Sequence, residues 1–292
     1  MSKTMTVKKK KPFHISSAFL YLVLIIWGLT TVYPILWVIQ NSFKDRNKII
    51  VDSFSLPLGE LFSTANYRRA FNDLNIFEAY KNSIFISAMV CIIVILLAGL
   101  ASFALVRYDF KLRKLLNTAV LASMMFPVFA TIIPVVRMES AMGIAYTRNW
   151  WLTMLSVILP QVAGNLSFAI VVLTGYIRGL PIELEEAAFM EGCGPFYIFF
   201  RVIVPLTKPS FATVAIFAFL WSYNDLFTQM FMLKRPDTYA ITILLNRLTS
   251  KEGTDYGLMA AAVTLVIVPV IAVYILLQKQ IVKGLTAGAV KG

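Results

Sequence analysis

The chain has 292 residues, of which 59% are apolar and only 14% charged, with a mean hydropathy of +0.75 and a formal net charge of +12. Soluble domains carry roughly 25% charged residues, so this composition excludes an ordinary soluble enzyme or binding module and reads as an integral membrane protein. A basic balance is also the electrostatic footprint of nucleic-acid binding, but here the Lys and Arg residues follow the pattern of membrane topology, and no nucleic-acid partner is expected.

A helix crossing a hydrocarbon core of about 30 Å needs roughly 20 apolar residues. Six stretches meet that length: 19–40, 84–106, 115–136, 152–176, 210–233 and 258–277. Alternation of the kind a transmembrane strand requires is absent, and backbone groups in lipid must bond within their own segment. The expected fold is therefore all-α, six transmembrane helices in a single domain over residues 1–292. Ahead of the first span, Lys8 to Lys11 suit anionic lipid headgroups. That span exceeds a signal peptide's apolar core and no small-residue cleavage site follows, so it is expected to remain as a membrane helix. Pro34, Pro127, Pro134, Pro160 and Pro269 fall within spans, where each removes a backbone donor and bends its helix.

Sidedness follows from the basic residues. With six spans both termini share a side, and that side holds fifteen basic residues against five acidic ones, while the other holds twelve basic against nine acidic. Both termini are therefore expected in the cytoplasm, together with the segment 177–208. On the outer side, 41–82 and 234–257 are the available docking surfaces.

Within 177–208, Leu184, Ala187, Ala188 and Phe189 recur at helical spacing, with Glu183, Glu185, Glu186 and Glu191 mostly opposite. A first short helix is expected to end near Gly192, where glycine permits a left-handed turn. Gly194-Pro195 then opens a second amphipathic run, 196–204, that stops at Pro205. The pattern predicts a helix-turn-helix lying along the inner membrane face.

Asp225 is the one acid well inside a span, and embedded ionisable residues cost several kcal/mol unless paired or hydrated. Two roles fit it. Near the outer interface it can bond Asn224 or Tyr223; alternatively Tyr223, Asn224 and Asp225 line the outer part of a solute path, where amide and carboxylate groups meet hydroxyls and aromatic faces cover sugar rings. Cys91 and Cys193 lie in places that cannot pair, and no disulfide is expected. The only histidine is His14, and no His, Cys or carboxylate cluster has metal spacing. No G-x-x-x-x-G-K-[ST] loop is present, so any ATP-derived energy must come from a partner.

Glu186-Ala187-Ala188, Gly192 and Pro205 stand at the spacing of the cytoplasmic "EAA" loop of ABC importer permeases, with Val202 and Val204 where the pattern has Ile and Leu. The chain resembles that family over nearly its whole length, and within it the carbohydrate, MalG-type branch. Glu185 to Gly192 carry this likeness, as do Leu220 to Asp225 with Trp221 and Asn224, and the ending Gly284-Leu285-Thr286-Ala287-Gly288-Ala289-Val290-Lys291-Gly292. Glu191 and Cys193 depart from the usual Asp and Ala. The resemblance implies a bacterial cell-membrane subunit working beside a second, homologous permease, two cytoplasmic ATPases that bind the ATP and Mg, and an extracytoplasmic sugar-binding protein. It further implies that Glu186, Ala187, Ala188, Gly192 and Pro205 couple to the ATPases. The tail, with Gly288, Val290, Lys291 and Gly292, would reach between them. Asn246, Arg247, Thr249 and Ser250 would face the binding protein, and Trp221 would join Tyr223, Asn224 and Asp225 on the sugar path. No cofactor is expected in this chain, and no catalytic residue.

A secondary transporter of a small solute would also be a membrane bundle, but it would show more embedded ionisable groups and a two-half repeat, neither of which is evident. An intramembrane enzyme would need a paired nucleophile and base or two embedded acids, and Asp225 stands alone.

Overall fold

The structure, a computed structural model, describes residues 15–251 and 255–289, and among them every regular element is helical. The chain divides into two compact units whose described parts are 15–68 with 255–264 and 69–251 with 265–289.

The first unit begins with α1 (Ile15–Ser42), an apolar helix whose side chains from Phe19 to Leu36 are almost all exposed, as a helix facing lipid requires. It continues through α2 (Arg46–Val51) and a single 3₁₀ turn, Gly59–Leu61. Polar side chains tie this hairpin-like segment together. Asn66 donates from Nδ2 to the carbonyls of Ser42 and Lys44, at 3.1 and 2.8 Å. The fully buried Lys44 donates from Nζ to the Asp52 carbonyl and to Ser55 Oγ, at 3.2 and 3.1 Å. Backbone N–H groups of Phe54 and Ser55 bond the Asp52 carboxylate, which lowers its pKa. Gly257 belongs here because a Cβ on it would lie 2.7 Å from both the Lys44 carbonyl and Asn66 Nδ2.

Asn66 lies in α3 (Ala65–Asp73), which leads to the second unit and its two long helices, α4 (Ile76–Arg107) and α7 (Trp150–Arg178). These run parallel. Phe85 meets Trp150 at 5.1 Å near their N-terminal ends, and Arg107 reaches the Leu180 carbonyl at 3.1 Å near their C-terminal ends. The intervening chain must therefore retrace the length of α4, and it does so as α5 (Arg113–Ser123) and α6 (Val128–Ala141), separated by a turn at 124–127. Then come α8 (Glu183–Met190), α9 (Pro195–Ile198), a five-residue π-helical stretch Phe199–Ile203, α10 (Val204–Leu206), α11 (Lys208–Asn224) and α12 (Leu226–Met232). A 3₁₀ turn, Pro236–Thr238, precedes α13 (Ile241–Lys251), and α14 (Tyr256–Ala289) closes the described chain.

Among the described residues three helices are long and apolar enough to cross a membrane, over Phe19–Ser42, Ile76–Arg107 and Trp150–Arg178. The other expected spans differ in form. Span 115–136 is two helices, because Pro127 has no N–H to continue α5 and instead caps α6. Span 210–233 is also two, broken at Asp225. Residues 258–277 lie within one continuous α14, with Pro269 inside it. Helices likewise run through Pro34, Pro134 and Pro160. The segment 234–257, expected as an outer loop, contains α13.

The core of the second unit is the α4–α7–α11 contact, with Val90, Val94, Ala98, Val157, Leu173, Val214 and Ala218 buried. Gly99 makes the closest approach: a Cβ there would lie 2.9 Å from the Phe211 ring and 3.0 Å from that of Phe199. Gly99→Val should cost about 1–3 kcal/mol by overpacking, read as a lowered melting temperature of the purified protein in detergent; Gly164→Ala, with open space around its Cβ position, should leave it unchanged.

Candidate functional site

The Glu-Ala-Ala segment forms α8, and its boundaries come from backbone chemistry. Glu183, Glu185 and Glu186 crowd the first turn, where the helix dipole favours negative charge. At the other end Gly192 has φ +81°, its N–H bonds the Phe189 carbonyl at 2.9 Å, and the Cys193 N–H bonds that of Ala188 at 3.0 Å. These are the paired bonds of a Schellman closure, which needs a residue free to adopt positive φ.

The orientation of α8 corrects the expected amphipathic face. Glu185 is the buried residue, while Leu184, Glu186, Ala187 and Phe189 are exposed and Ala188 is half-buried. The cause is Arg107 at the end of α4: its Nε donates to Glu185 Oε1 at 2.6 Å and its Nη2 to the Leu180 carbonyl at 3.1 Å. A guanidinium only 11% exposed needs a counter-charge, and it draws in one glutamate of the pair. Glu186, on the polar side as expected, projects outward.

With Glu185 turned in, α8 and α9 present an apolar surface of Leu184, Phe189, Met190, Phe196, Tyr197 and Phe200, all exposed and Met190 88% so. A patch of this kind on a well-anchored helix pair marks a protein or membrane contact. Pro205 does not end the second run. It lies inside α10, and the chain turns at Thr207, giving an 85° bend between Pro195–Leu206 and α11. Because Pro205 offers no N–H to Arg201, the turn before it widens, and the Val204 N–H bonds the Phe199 carbonyl five residues back.

A second polar centre surrounds the break between α11 and α12. Asp225 Oδ1 accepts from the Thr228 N–H at 3.0 Å, capping α12, and Oδ2 accepts from Gln161 Nε2 at 2.9 Å. Its partners are thus Thr228 and Gln161, not Asn224 or Tyr223. Tyr223 points into a buried cluster with Ile76, Ala79 and Ile241, stacked on Phe219, which removes it from a path-facing position. Trp221 and Asn224 are exposed, and Trp221 meets Phe168 and Phe217 at 4.8 and 5.3 Å. Asn246 and Arg247 are exposed on α13, with the Arg247 guanidinium 4.4 Å over the Tyr239 ring. Thr249 and Ser250 fall in the last turns of α13, and Gly288 in the last turn of α14. Val290, Lys291 and Gly292 lie outside the described residues.

Sequence reasoning passed over Arg107, Glu185, Gln161 and Gln229. The amides had a signal: Gln161 and Gln229 interrupt apolar stretches, where polar side chains are rare unless partnered. Glu139, near the end of α6, is also buried, and its Oε2 has no hydrogen-bond partner. No group of three or more metal-ligating side chains is found among the described residues.

A helical chain with three helices long and apolar enough to cross a membrane, an anchored helix pair with an exposed apolar surface and two interrupted apolar helices is consistent with a membrane transport subunit. The chain belongs to the family described as "Binding-protein-dependent transport system inner membrane component", which it matches over residues 95–287. It is thus an ABC-importer permease of the inner membrane. It is 32% identical to the diacetylchitobiose uptake system permease protein NgcG of Streptomyces coelicolor, over 93% of this chain and 88% of that one. It is 31% identical to the galactooligosaccharides transport system permease protein GanQ of Bacillus subtilis, over 96% and 97%. A solved bacterial ABC transporter involved in import of the acidic polysaccharide alginate has a chain of the same fold, with a TM-score of 0.79 at 20% identity, covering 92% of this chain and 99% of its own.

Truncating the buried ion pair should separate the two glutamates. Glu185→Ala leaves Arg107 buried without its counter-charge and should destabilise the protein by about 3 kcal/mol, while Glu186→Ala should stay within about 0.5 kcal/mol; thermal unfolding of the two purified variants checks both.

Proposed function

We propose that the chain is the permease subunit of an ATP-driven importer of oligosaccharides. In this reading the chain crosses the membrane six times, by α1, α4 and α7, the retracing α5–α6 pair, the α11–α12 pair and α14; the three helices long and apolar enough to cross alone, in α1, α4 and α7, support it. The excess of basic residues on one side puts both termini, α8 and α9 in the cytoplasm. There the exposed apolar surface of α8 and α9, held by Glu185 and Arg107, receives an ATPase subunit that supplies ATP and Mg. This is the observation that carries the reading, since an apolar face so firmly anchored needs a partner of its own. Glu186, Ala187, Ala188, Gly192 and Pro205 belong to that docking element, and the tail around Gly288 to Gly292 extends the same contact.

A second, homologous permease completes the path. Trp221 and Asn224, exposed beside Phe168 and Phe217, line it on this side, an aromatic face next to an amide being the chemistry that holds sugar rings. Asp225 contributes by shaping that surface through the helix end it caps. On the outer side Asn246, Arg247, Thr249 and Ser250 of α13 meet a sugar-loaded binding protein; the curated relatives' names specify oligosaccharide uptake. Transport proceeds by alternating access, the broken helices shifting as the ATPases close.

Proteoliposomes holding the permease pair and both ATPases, with binding protein and labelled sugar, test this directly. Uptake should require ATP on the ATPase side. ATP-independent uptake driven by an ion gradient would overturn the reading. Gly192→Val places a β-branched residue at φ +81°, at a backbone cost of about 1–2 kcal/mol; sugar-stimulated hydrolysis should fall while membrane insertion is retained. Trp221→Ala should lower uptake at least about tenfold, corresponding to roughly 1.4 kcal/mol of lost aromatic contact.

A further inference from the structure

A continuous series of hydrogen bonds, buried at its centre and partly buried at its two ends, runs from the α11–α12 break to α13, and neither docking nor the sugar path uses it. Gln161 Nε2 donates to Asp225 Oδ2 at 2.9 Å, and Ser222 Oγ donates to Gln161 Oε1 at 2.6 Å. The Ser222 carbonyl accepts from Gln229 Nε2 at 2.9 Å, and Gln229 Oε1 accepts from Thr242 Oγ1 at 2.6 Å. Gln161 is 4% exposed, Ser222 1% and Gln229 0%. Four helices, α7, α11, α12 and α13, are joined by these four bonds.

The polarity of the series is fixed at its acceptors. A carboxylate and a peptide carbonyl have no hydrogen to give, so each glutamine must present its amide N–H₂ there and its oxygen to a hydroxyl. Neither amide can reverse without leaving two like groups face to face in a dry interior, where an unmade bond is costly. The same bonds set the break itself: Asp225 caps α12 with one oxygen while Gln161 holds the other. Thr242, at the far end, lies one helical turn from Asn246 on the exposed face of α13.

The geometry points to Gln161 and Gln229 as positioning residues that make the shape of the α11–α12 break depend on the seat of α13. A partner bound at α13 thereby sets the break near Trp221 and Asn224. This rests on the reading of α13 as the binding-protein surface.

The test is a reciprocal exchange in the complete reconstituted complex. Gln161→Glu sets two carboxylates together, and Asp225→Asn sets amide against amide. Combined, they restore every bond: the new amide at 225 still caps Thr228 and donates to the new carboxylate, which still accepts from Ser222. Each single change should lower the maximal stimulation of ATP hydrolysis by loaded binding protein at least about tenfold, the worth of a buried charge-assisted bond, with the half-saturating concentration unchanged because the α13 surface is intact. The double variant should recover most of the stimulation. Gln229→Met, similar in volume but unable to bond, should give the same loss and raise amide hydrogen exchange in α12 and α13 together. Single variants stimulated like wild type, or a double variant no better than either single, would overturn the inference. A purely structural role would reduce yield and leave stimulation per complex intact. If the wild-type complex answers to no binding protein, the reading of α13 fails, and hydrogen exchange decides the linkage alone: loosening confined to α12 in Gln229→Met would sink it.

Discussion

A helix that stops inside hydrocarbon leaves up to four N–H groups at its start and four carbonyls at its end without partners, and lipid supplies none. This chain interrupts two of its apolar helical stretches, at 124–127 and at Asp225, and the arrangement around them follows from how those groups are satisfied. Asp225 caps α12 as an Asp caps a helix in water, but here the carboxylate's second oxygen also needs a donor, and Gln161 provides it. Gln161 must then satisfy its own carbonyl oxygen, which recruits Ser222, and the Ser222 carbonyl, which at the break accepts from the Asp225 N–H at 3.3 Å, also accepts from Gln229. One embedded acid thus dictates the placement of three further polar side chains on two other helices and on its own. The two breaks also meet, through the rings of Phe129 and Phe227 at 4.4 Å.

The opposite end obeys the same constraint with a different solution. Arg107 terminates α4, and its guanidinium, only 11% exposed, needs a counter-charge. Pairing with Glu185 fixes the rotation of α8, and that rotation decides which side chains face outward. The exposed apolar face is in this sense a consequence of an ion pair on its reverse side. Position on the helix matters more than composition here, since Glu185 and Glu186 are chemically identical and differ by about 100° around the axis.

This difference shows what a sequence can and cannot disclose. The spans of α1, α4 and α7 were legible because length and apolarity are local properties, although α4 begins at Ile76, a turn or two before its apolar run. Gly192 was legible too, since a glycine following a short helix has few other uses. Which glutamate faces inward was not legible, because the deciding residue, Arg107, lies 78 positions earlier in the chain. The break at Asp225 was hidden for the same reason: an acid in an apolar run reads equally as a cap or a path-lining group until Gln161, 64 positions away, is seen bonded to it. Tyr223 was assigned to the path with its neighbours, yet successive residues on a helix cannot all share a face. Trp221 and Asn224, three apart, do share one; Tyr223 lies between them and turns inward.

The two polar centres are joined by α4, whose N-terminal end receives α13 through the Ser83 hydroxyl on the Ile241 N–H at 2.8 Å, and whose C-terminal end holds α8 through Arg107. Between them α4 is an unbroken helix of 32 residues with no proline, and a stiff rod transmits displacement without storing it. The elements that can change shape are the proline- and cap-defined interruptions around it, the turn at 124–127, the bend at Thr207 and the break at Asp225. Each is hydrogen-bonded to a definite partner and not loosely coiled, and an exchange of one satisfied set of bonds for another is the form that switching between packed states takes. A permease needs both properties in one chain: rigid helices to carry force between its two faces, and interrupted ones whose satisfied polar groups can be exchanged for another satisfied set. Here the division between them follows where Pro127, Pro205 and Asp225 fall in otherwise apolar helical sequence.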